Sequence, residues 1–140
     1  MSLRATKPKV GDKHQEVVVE NLSRSQLVMY SGASGDYNPL HTDEVYTTQV
    51  AGYPSVFAHG MLSMGLTGKM LTNYVGDGRL TKFGVRFANQ VWPGDTLTAA
   101  ATITRLYEEK TRNLVDMEVE TTNQNGTVVV KGYATASIDD

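Results

Sequence analysis

A carboxylate and an imidazole stand close together in residues 34–41, which read SGDYNPLH. Pro39 fixes its own φ angle and pushes Asn38 toward extended geometry, so the chain between Asp36 and His41 forms an ordered turn. Such a turn can aim Asp36 and His41 at one point. General acid–base catalysis needs two groups of different pKa that share one water or one substrate proton. Asp36 and His41 are therefore a candidate acid–base pair.

Each residue of this turn also has a purely structural interpretation. Asp36 can cap a turn, Asn38 can close an Asx turn, and His41 can be a half-buried, hydrogen-bonded histidine. For an isolated Asp and His pair the structural interpretation is the favoured one, because short motifs match by chance.

A second candidate group is a backbone N–H rather than a side chain. Gly60 follows His59 and opens a long apolar run. If a helix begins there, its first N–H groups have no partner within the helix and can bind an anion or a polarised carbonyl. We interpret His59 as a structural histidine at the helix cap, in preference to a direct catalytic role.

The complete pattern is more specific than its parts. Residues 30–41, which read YSGASGDYNPLH, are followed by His59, Gly60 and Met61. Together they resemble the hydratase-2 motif of the MaoC-like (R)-specific enoyl-CoA hydratases. The resemblance extends from about Val10 to the C-terminus, and the core motif shows no departure from it.

The resemblance implies a role for each matching position and a fold. Asp36 and His41 match the catalytic dyad, Asn38 matches the asparagine that supports their geometry, and Gly60 matches the glycine whose N–H binds the thioester oxygen. The implied fold is the hot-dog fold, in which an antiparallel sheet wraps a long helix.

The implied activity is that of a lyase, a hydro-lyase of the enoyl-CoA hydratase 2 type in fatty acid metabolism. Such an enzyme adds water reversibly, with syn geometry, to a trans-2-enoyl thioester. The acyl-CoA thioester is the expected binding partner, with CoA as part of the substrate and no metal or redox cofactor. Related hot-dog proteins associate through their sheets, so a homodimer or higher homo-oligomer is expected.

Two other functions are compatible with the same fold. A hot-dog acyl-CoA thioesterase would direct water to the carbonyl carbon and release free CoA; residues 36–41 disfavour it. A non-catalytic partner subunit of a heteromeric dehydratase is expected to lose the dyad, whereas this chain retains Asp36 and His41. No motif specifies the acyl chain or the physiological direction of the reaction.

Composition narrows the class of protein further. A chain of 140 residues fits one domain over 1–140, with residues 1–9 as a loosely ordered lead-in. The net charge of −2 gives no reason to expect nucleic acid as a partner, and the absence of cysteine excludes disulfides and thiolate sites. His14, His41 and His59 form no metal-ligand spacing. The polar N-terminus and the lack of a long apolar stretch predict a cytoplasmic protein without membrane contact.

Periodicity predicts the elements that position these residues. Ser23 and Gln26 match a capping box that starts a short helix with Leu27, Val28 and Tyr30 on its apolar side. The apolar residues of 60–75 spread around more than one face, which predicts a helix buried by its surroundings. Four strands follow in an antiparallel meander, with alternation in 82–88, 97–103, 115–120 and 128–138. One buried helix and a sheet define an α+β protein.

Overall fold

A computed structural model describes residues 2–3 and 7–139, and its architecture is α+β, as predicted. It contains two α-helices and one five-stranded antiparallel sheet. The helices are α1 (Arg24–Ser34) and α2 (Gly60–Val75), and the strands are β1 (Lys13–Val19), β2 (Leu80–Phe87), β3 (Leu97–Glu109), β4 (Arg112–Thr122) and β5 (Val128–Ser137).

The strand order in the sheet is β1-β3-β4-β5-β2. Strands β3, β4 and β5 form the predicted meander, and Gly126 takes a positive φ in the turn between β4 and β5. The meander prediction is wrong for β2, which pairs with β5 instead of β3. The loop after β2 crosses the sheet and lets β3 pair with β1. As a result β1 and β2 are the two edge strands.

Helix α2 lies against the sheet and begins and ends at the predicted residues. Its second half packs on the inner faces of β3, β4 and β5, while Leu62 belongs to a second cluster around α1. The helix is buried on most of its surface, as predicted, but not all around. An exposed stripe runs along the helix with a four-residue period, and its members are Met61, Gly65, Lys69 and Asn73.

The inward residues of the strands follow the predicted alternation. On β3 and β4 every second side chain is buried, from Leu97 to Ile103 and from Val115 to Val119. Phe87 at the end of β2 is an exception, because 49% of it is exposed. Gly68 allows close approach of the Phe83 ring, since a Cβ there would lie 3.2 Å from Cε2 of that ring.

Helix α1 delivers the chain to the turn that carries Asp36. Its N-cap Ser23 accepts a hydrogen bond from the N–H of Gln26 at 3.0 Å, which is one half of the predicted capping box. The helix ends at Gly35, whose φ of 76° is the left-handed conformation favoured by glycine. Leu27 is fully buried, but Val28 is 57% exposed, so its assignment to the apolar side is wrong.

The segment between the turn and α2 is held by two acidic residues. Asp43 accepts a hydrogen bond from the N–H of Tyr46, where a π-helical turn (Tyr46–Val50) begins. Glu44 accepts from Arg24 at 2.6 Å and from the N–H of Val56 at 3.1 Å. Although its side chain is exposed, Glu44 ties the segment to α1.

The N-terminal lead-in is described only in part, because residues 1 and 4–6 lie outside the described residues. Leu3 is buried and packs with the cluster on α2. The loosely ordered lead-in over 1–9 stays a prediction. Within the described part of the chain, neither helix has the length and apolar character needed to cross a bilayer.

Candidate active site

Asp36 and His41 face each other across the predicted turn. The carboxylate oxygen Oδ2 of Asp36 lies 4.0 Å from Nε2 of His41. This separation is too long for a direct hydrogen bond, but a single water can contact both atoms. The Asp36 side chain is 52% exposed, whereas that of His41 is 10% exposed. The pair therefore combines a fixed, buried imidazole with an accessible carboxylate.

The turn is held by hydrogen bonds of its own side chains. Asn38 donates its backbone N–H to Oδ1 of Asp36 at 3.2 Å, and its side-chain Oδ1 accepts the N–H of Leu40 at 3.1 Å. Pro39 then starts a single 3-10 turn that ends at His41. Asn38 thus binds the Asp36 side chain through its main chain. Its side chain holds the backbone just before His41.

The environment of His41 determines which nitrogen carries the proton. Nδ1 of His41 lies 2.6 Å from the carbonyl oxygen of Phe57. A carbonyl oxygen only accepts, so Nδ1 donates and the neutral ring has its lone pair on Nε2. The free lone pair therefore points toward the side of Asp36, where it can accept a proton.

Gly60 is the first residue of α2, and its N–H is available to a ligand. Among the described residues, none accepts a hydrogen bond from that N–H. Gly60 has no positive φ, so its glycine is not required for a left-handed conformation. A Cβ at this position would instead lie 2.9 Å from two atoms of the Phe87 ring. Glycine therefore lets Phe87 cover the start of the helix.

A pocket of about 300 Å³ opens beside Gly60. Phe57 lines the pocket and also contacts the acid–base pair, since its carbonyl oxygen binds Nδ1 of His41 and its ring lies nearly perpendicular to the imidazole with centroids 5.4 Å apart. The pocket mixes apolar and polar groups, and it is lined by Phe57, Ala58, Gly60, Ser63, Phe87, Ala88, Asn89, Gln90, Val91 and Val129.

His59 lies at the start of α2, and its ring lies against the acid–base pair. It occupies the N-cap position of α2, but its side chain makes no capping hydrogen bond. Its ring stacks on that of His41 with centroids 3.8 Å apart and an interplanar angle of 24°. Burial lowers the pKa of His59, and the neighbouring His41 lowers it further. His59 therefore lies at the helix cap, as expected, and is fully buried, while its ring packs on His41 instead of capping the helix.

Asp36, His41 and His59 also bring three potential metal ligands within 4.8 Å of one another. Nδ1 of His41 is already hydrogen-bonded to the carbonyl oxygen of Phe57. Nε2 of His59 lies 3.2 Å from the backbone carbonyl of Asp36 and donates to it. The arrangement fits an acid–base pair better than a chelate, and the expected absence of a metal stays a prediction.

The structure thus brings Asp36, Asn38 and His41 into one turn and places His59 and Gly60 beside it. Sequence reasoning missed the contribution of Phe57, whose carbonyl fixes the tautomer of His41. It also missed Ser31, whose Oγ lies 3.1 Å from Nε2 of His59. Both contacts join residues far apart in the chain, so no local sequence pattern predicts them.

A family model and similar proteins of known name all point to the same protein family. Residues 5–127 match the family model described as MaoC like domain. The chain is 34% identical over 123 residues to the (R)-specific enoyl-CoA hydratase of Rhodospirillum rubrum, which covers 86% of this chain and 83% of that protein. It is 34% identical over 98 residues to 3-hydroxyacyl-thioester dehydratase Y of Mycobacterium tuberculosis, which covers 68% of this chain. The chain spans only 34% of the length of that second relative.

Among solved structures, an (R)-hydratase from A. caviae involved in PHA biosynthesis has a similar fold. The two structures superpose with a TM-score of 0.82 and 25% sequence identity. The match covers 94% of this chain and 98% of the other. The likeness therefore extends over nearly the whole of both chains.

Proposed function

Because the chain belongs to the family of MaoC-like domains, we propose that it is an (R)-specific enoyl-CoA hydratase that adds water reversibly to a trans-2-enoyl thioester. Its architecture is the hot-dog fold that the motif predicted. The observation that carries the proposal is the 4.0 Å gap between Asp36 and His41 beside the free N–H groups of α2.

Hydration begins with a water held between the two side chains. In the proposed reaction Nε2 of His41 and the carboxylate of Asp36 share this water, and the pair takes one of its protons as the oxygen adds to C3. The pair then gives a proton to C2 on the same face of the double bond. Syn addition follows because one site both removes and returns the proton.

The charge that develops on the thioester oxygen needs its own donor. We assign this role to the N–H of Gly60, since it is unpaired and lies at the positive end of the α2 dipole. The adjoining pocket, which Phe57 and Gly60 both line, is the proposed place of the substrate. Water addition transfers no electrons to another molecule, so the proposed reaction needs no redox cofactor. The cytoplasmic location stays a prediction from the sequence.

The product is expected to be the (R)-3-hydroxyacyl-CoA. Purified protein is incubated with crotonyl-CoA and longer trans-2-enoyl-CoAs, and loss of the conjugated double bond is followed. An (S)-specific 3-hydroxyacyl-CoA dehydrogenase with NAD should then yield little NADH, whereas an (R)-specific one should yield much. Rapid NADH formation with the (S)-specific enzyme would contradict the stereochemical assignment.

The same incubations separate hydration from thioester hydrolysis. A thiol reagent reports free CoA, which a hydratase does not release. Release of CoA that keeps pace with loss of the enoyl-CoA would make the protein a thioesterase. An absence of both activities across the series of chain lengths would contradict the proposed function altogether.

We propose that the chain forms at least a homodimer. Strand β2 is an edge of the sheet with an unpaired row of backbone groups, and such edges are commonly paired or covered. Light scattering after size exclusion should report at least twice the 15.3 kDa of one chain at micromolar concentration. A particle of 15.3 kDa would show that the edge stays uncovered.

A further inference from the structure

His59 contacts both members of the acid–base pair, and it does so through different parts of its ring. The ring face stacks on His41 at 3.8 Å, while Nε2 lies 3.2 Å from the backbone carbonyl oxygen of Asp36. Among the described residues, no other side chain both stacks on His41 and hydrogen-bonds Asp36. We propose that His59 is a positioning residue, which fixes Asp36 relative to His41 by donating a hydrogen bond from Nε2 while its neutral ring supports the imidazole.

The hydrogen bonds define the tautomer of His59. The Asp36 carbonyl oxygen can only accept, so Nε2 of His59 carries the proton. The hydroxyl oxygen of Ser31 lies 3.1 Å from the same nitrogen and shares the donor. Nδ1 is buried and has no hydrogen-bond partner among the described residues. An N–H at Nδ1 would be a buried donor without an acceptor, so the Nε2–H form is favoured.

The charge state of His59 follows from its surroundings. The residue is 2% exposed, and burial lowers its pKa. The titratable side chains against it are Tyr30 on α1, Asp36 and His41. A neutral His59 leaves His41 free to become positively charged during proton transfer, because two stacked imidazolium rings would repel each other.

The hydrogen bond from His59 to the backbone carbonyl of Asp36 matters because Asp36 has few other restraints. Its side chain is half exposed, and the N–H of Asn38 is its only described hydrogen-bond donor. The main chain at Asp36 otherwise donates one hydrogen bond, to Oγ of Ser34 at 3.2 Å in the same turn. Without the bond from His59, this turn is not tied to the start of α2, and the 4.0 Å gap that accommodates a water is less firmly fixed. A misplacement of about 1 Å in a catalytic group can cost about 100-fold in rate.

Two substitutions separate the two contacts of His59. His59→Phe keeps a ring to stack on His41 but removes the donor to the Asp36 carbonyl. His59→Gln keeps an N–H donor at a similar reach but removes the ring. We expect kcat for enoyl-CoA hydration to fall about 10- to 100-fold in His59→Phe and clearly less in His59→Gln. KM should change by less than about threefold in both, because neither variant removes a group that touches the substrate.

His14 offers a matched control within the same chain. It is a partly buried histidine on β1, stacked on Tyr74 at 4.4 Å and hydrogen-bonded to Glu16. His14→Phe should leave kcat unchanged even if it lowers the melting temperature. A folded His59→Phe variant with the kcat of the parent would overturn the proposal. So would a loss of activity that appears in KM, or an equal loss in His59→Gln.

A second measurement tests the proposal without a substitution at the site and without an activity assay. Long-range ¹H–¹⁵N correlation spectra of the parent report the tautomer of each histidine, and His14→Gln helps to assign the three signals. We expect His59 to be the neutral Nε2–H tautomer at pH about 6.5, the usual midpoint of imidazole. An Nδ1–H tautomer or a charged ring would overturn the proposal even if His59→Phe fails to fold.

The inference on kcat rests on the proposed hydratase activity. A parent without activity would contradict that function, and the spectra would still test the hydrogen bond.

Discussion

His41→Ala and Asp36→Asn are each expected to lower kcat for enoyl-CoA hydration by about 100- to 10,000-fold, the range that general acid–base groups contribute. Alanine removes the Nε2 lone pair, and an amide at position 36 cannot take up a proton at neutral pH. The measurement is kcat and KM with an enoyl-CoA that the parent hydrates. Circular dichroism and the melting temperature of each variant show that it is folded.

The two variants differ in their expected effect on stability. His41→Ala leaves the Phe57 carbonyl without its 2.6 Å donor and removes the ring that stacks on His59, so its melting temperature should fall. Asp36→Asn preserves the shape of the side chain and the oxygen that accepts from Asn38, so its stability should match the parent. The cleaner evidence therefore comes from Asp36→Asn. The dyad assignment fails if either folded variant hydrates enoyl-CoA near the parent rate.

The parts of the site that could be predicted are those encoded in short segments. Ser23 caps α1, Pro39 stiffens the turn, and α2 runs over the predicted residues. In each case the residues that determine the structure lie within a few positions of the structure itself. The approach of Asp36 to His41 depends on such a turn, so its geometry was accessible from the sequence.

The features that escaped prediction depend on contacts between distant segments. Nothing in β2 specifies that it pairs with β5 rather than β3, because the choice is made by the loop that crosses the sheet. The stacking of His59 on His41 likewise requires the start of α2 to lie beside the turn that carries His41. Burial of Leu27 beside an exposed Val28 reflects the same limit, since the neighbours of α1 decide which side is covered.

The second large effect is expected from Gly60→Pro, which should lower kcat by about 100-fold or more through loss of one donor to the thioester oxygen. Proline lacks the N–H and is well tolerated at the first position of a helix. The preceding residue His59 has φ −57° and ψ 137°, which is the extended conformation that a residue before proline adopts. The backbone of α2 can therefore accept proline without moving. The variant is compared with the parent by kcat and KM for enoyl-CoA hydration.

Gly60→Ala is the matched control, because it introduces a Cβ in the same place but retains the N–H. That Cβ meets the Phe87 ring at 2.9 Å, and Phe87 is sufficiently exposed to turn aside. Combining either substitution with Phe87→Leu removes the ring and with it the clash. The activity lost in Gly60→Pro beyond that lost in Gly60→Ala then measures the donor alone. If folded Gly60→Pro and Gly60→Ala have equal kcat values, the N–H of Gly60 does not bind the thioester oxygen, and another group must stabilise its charge.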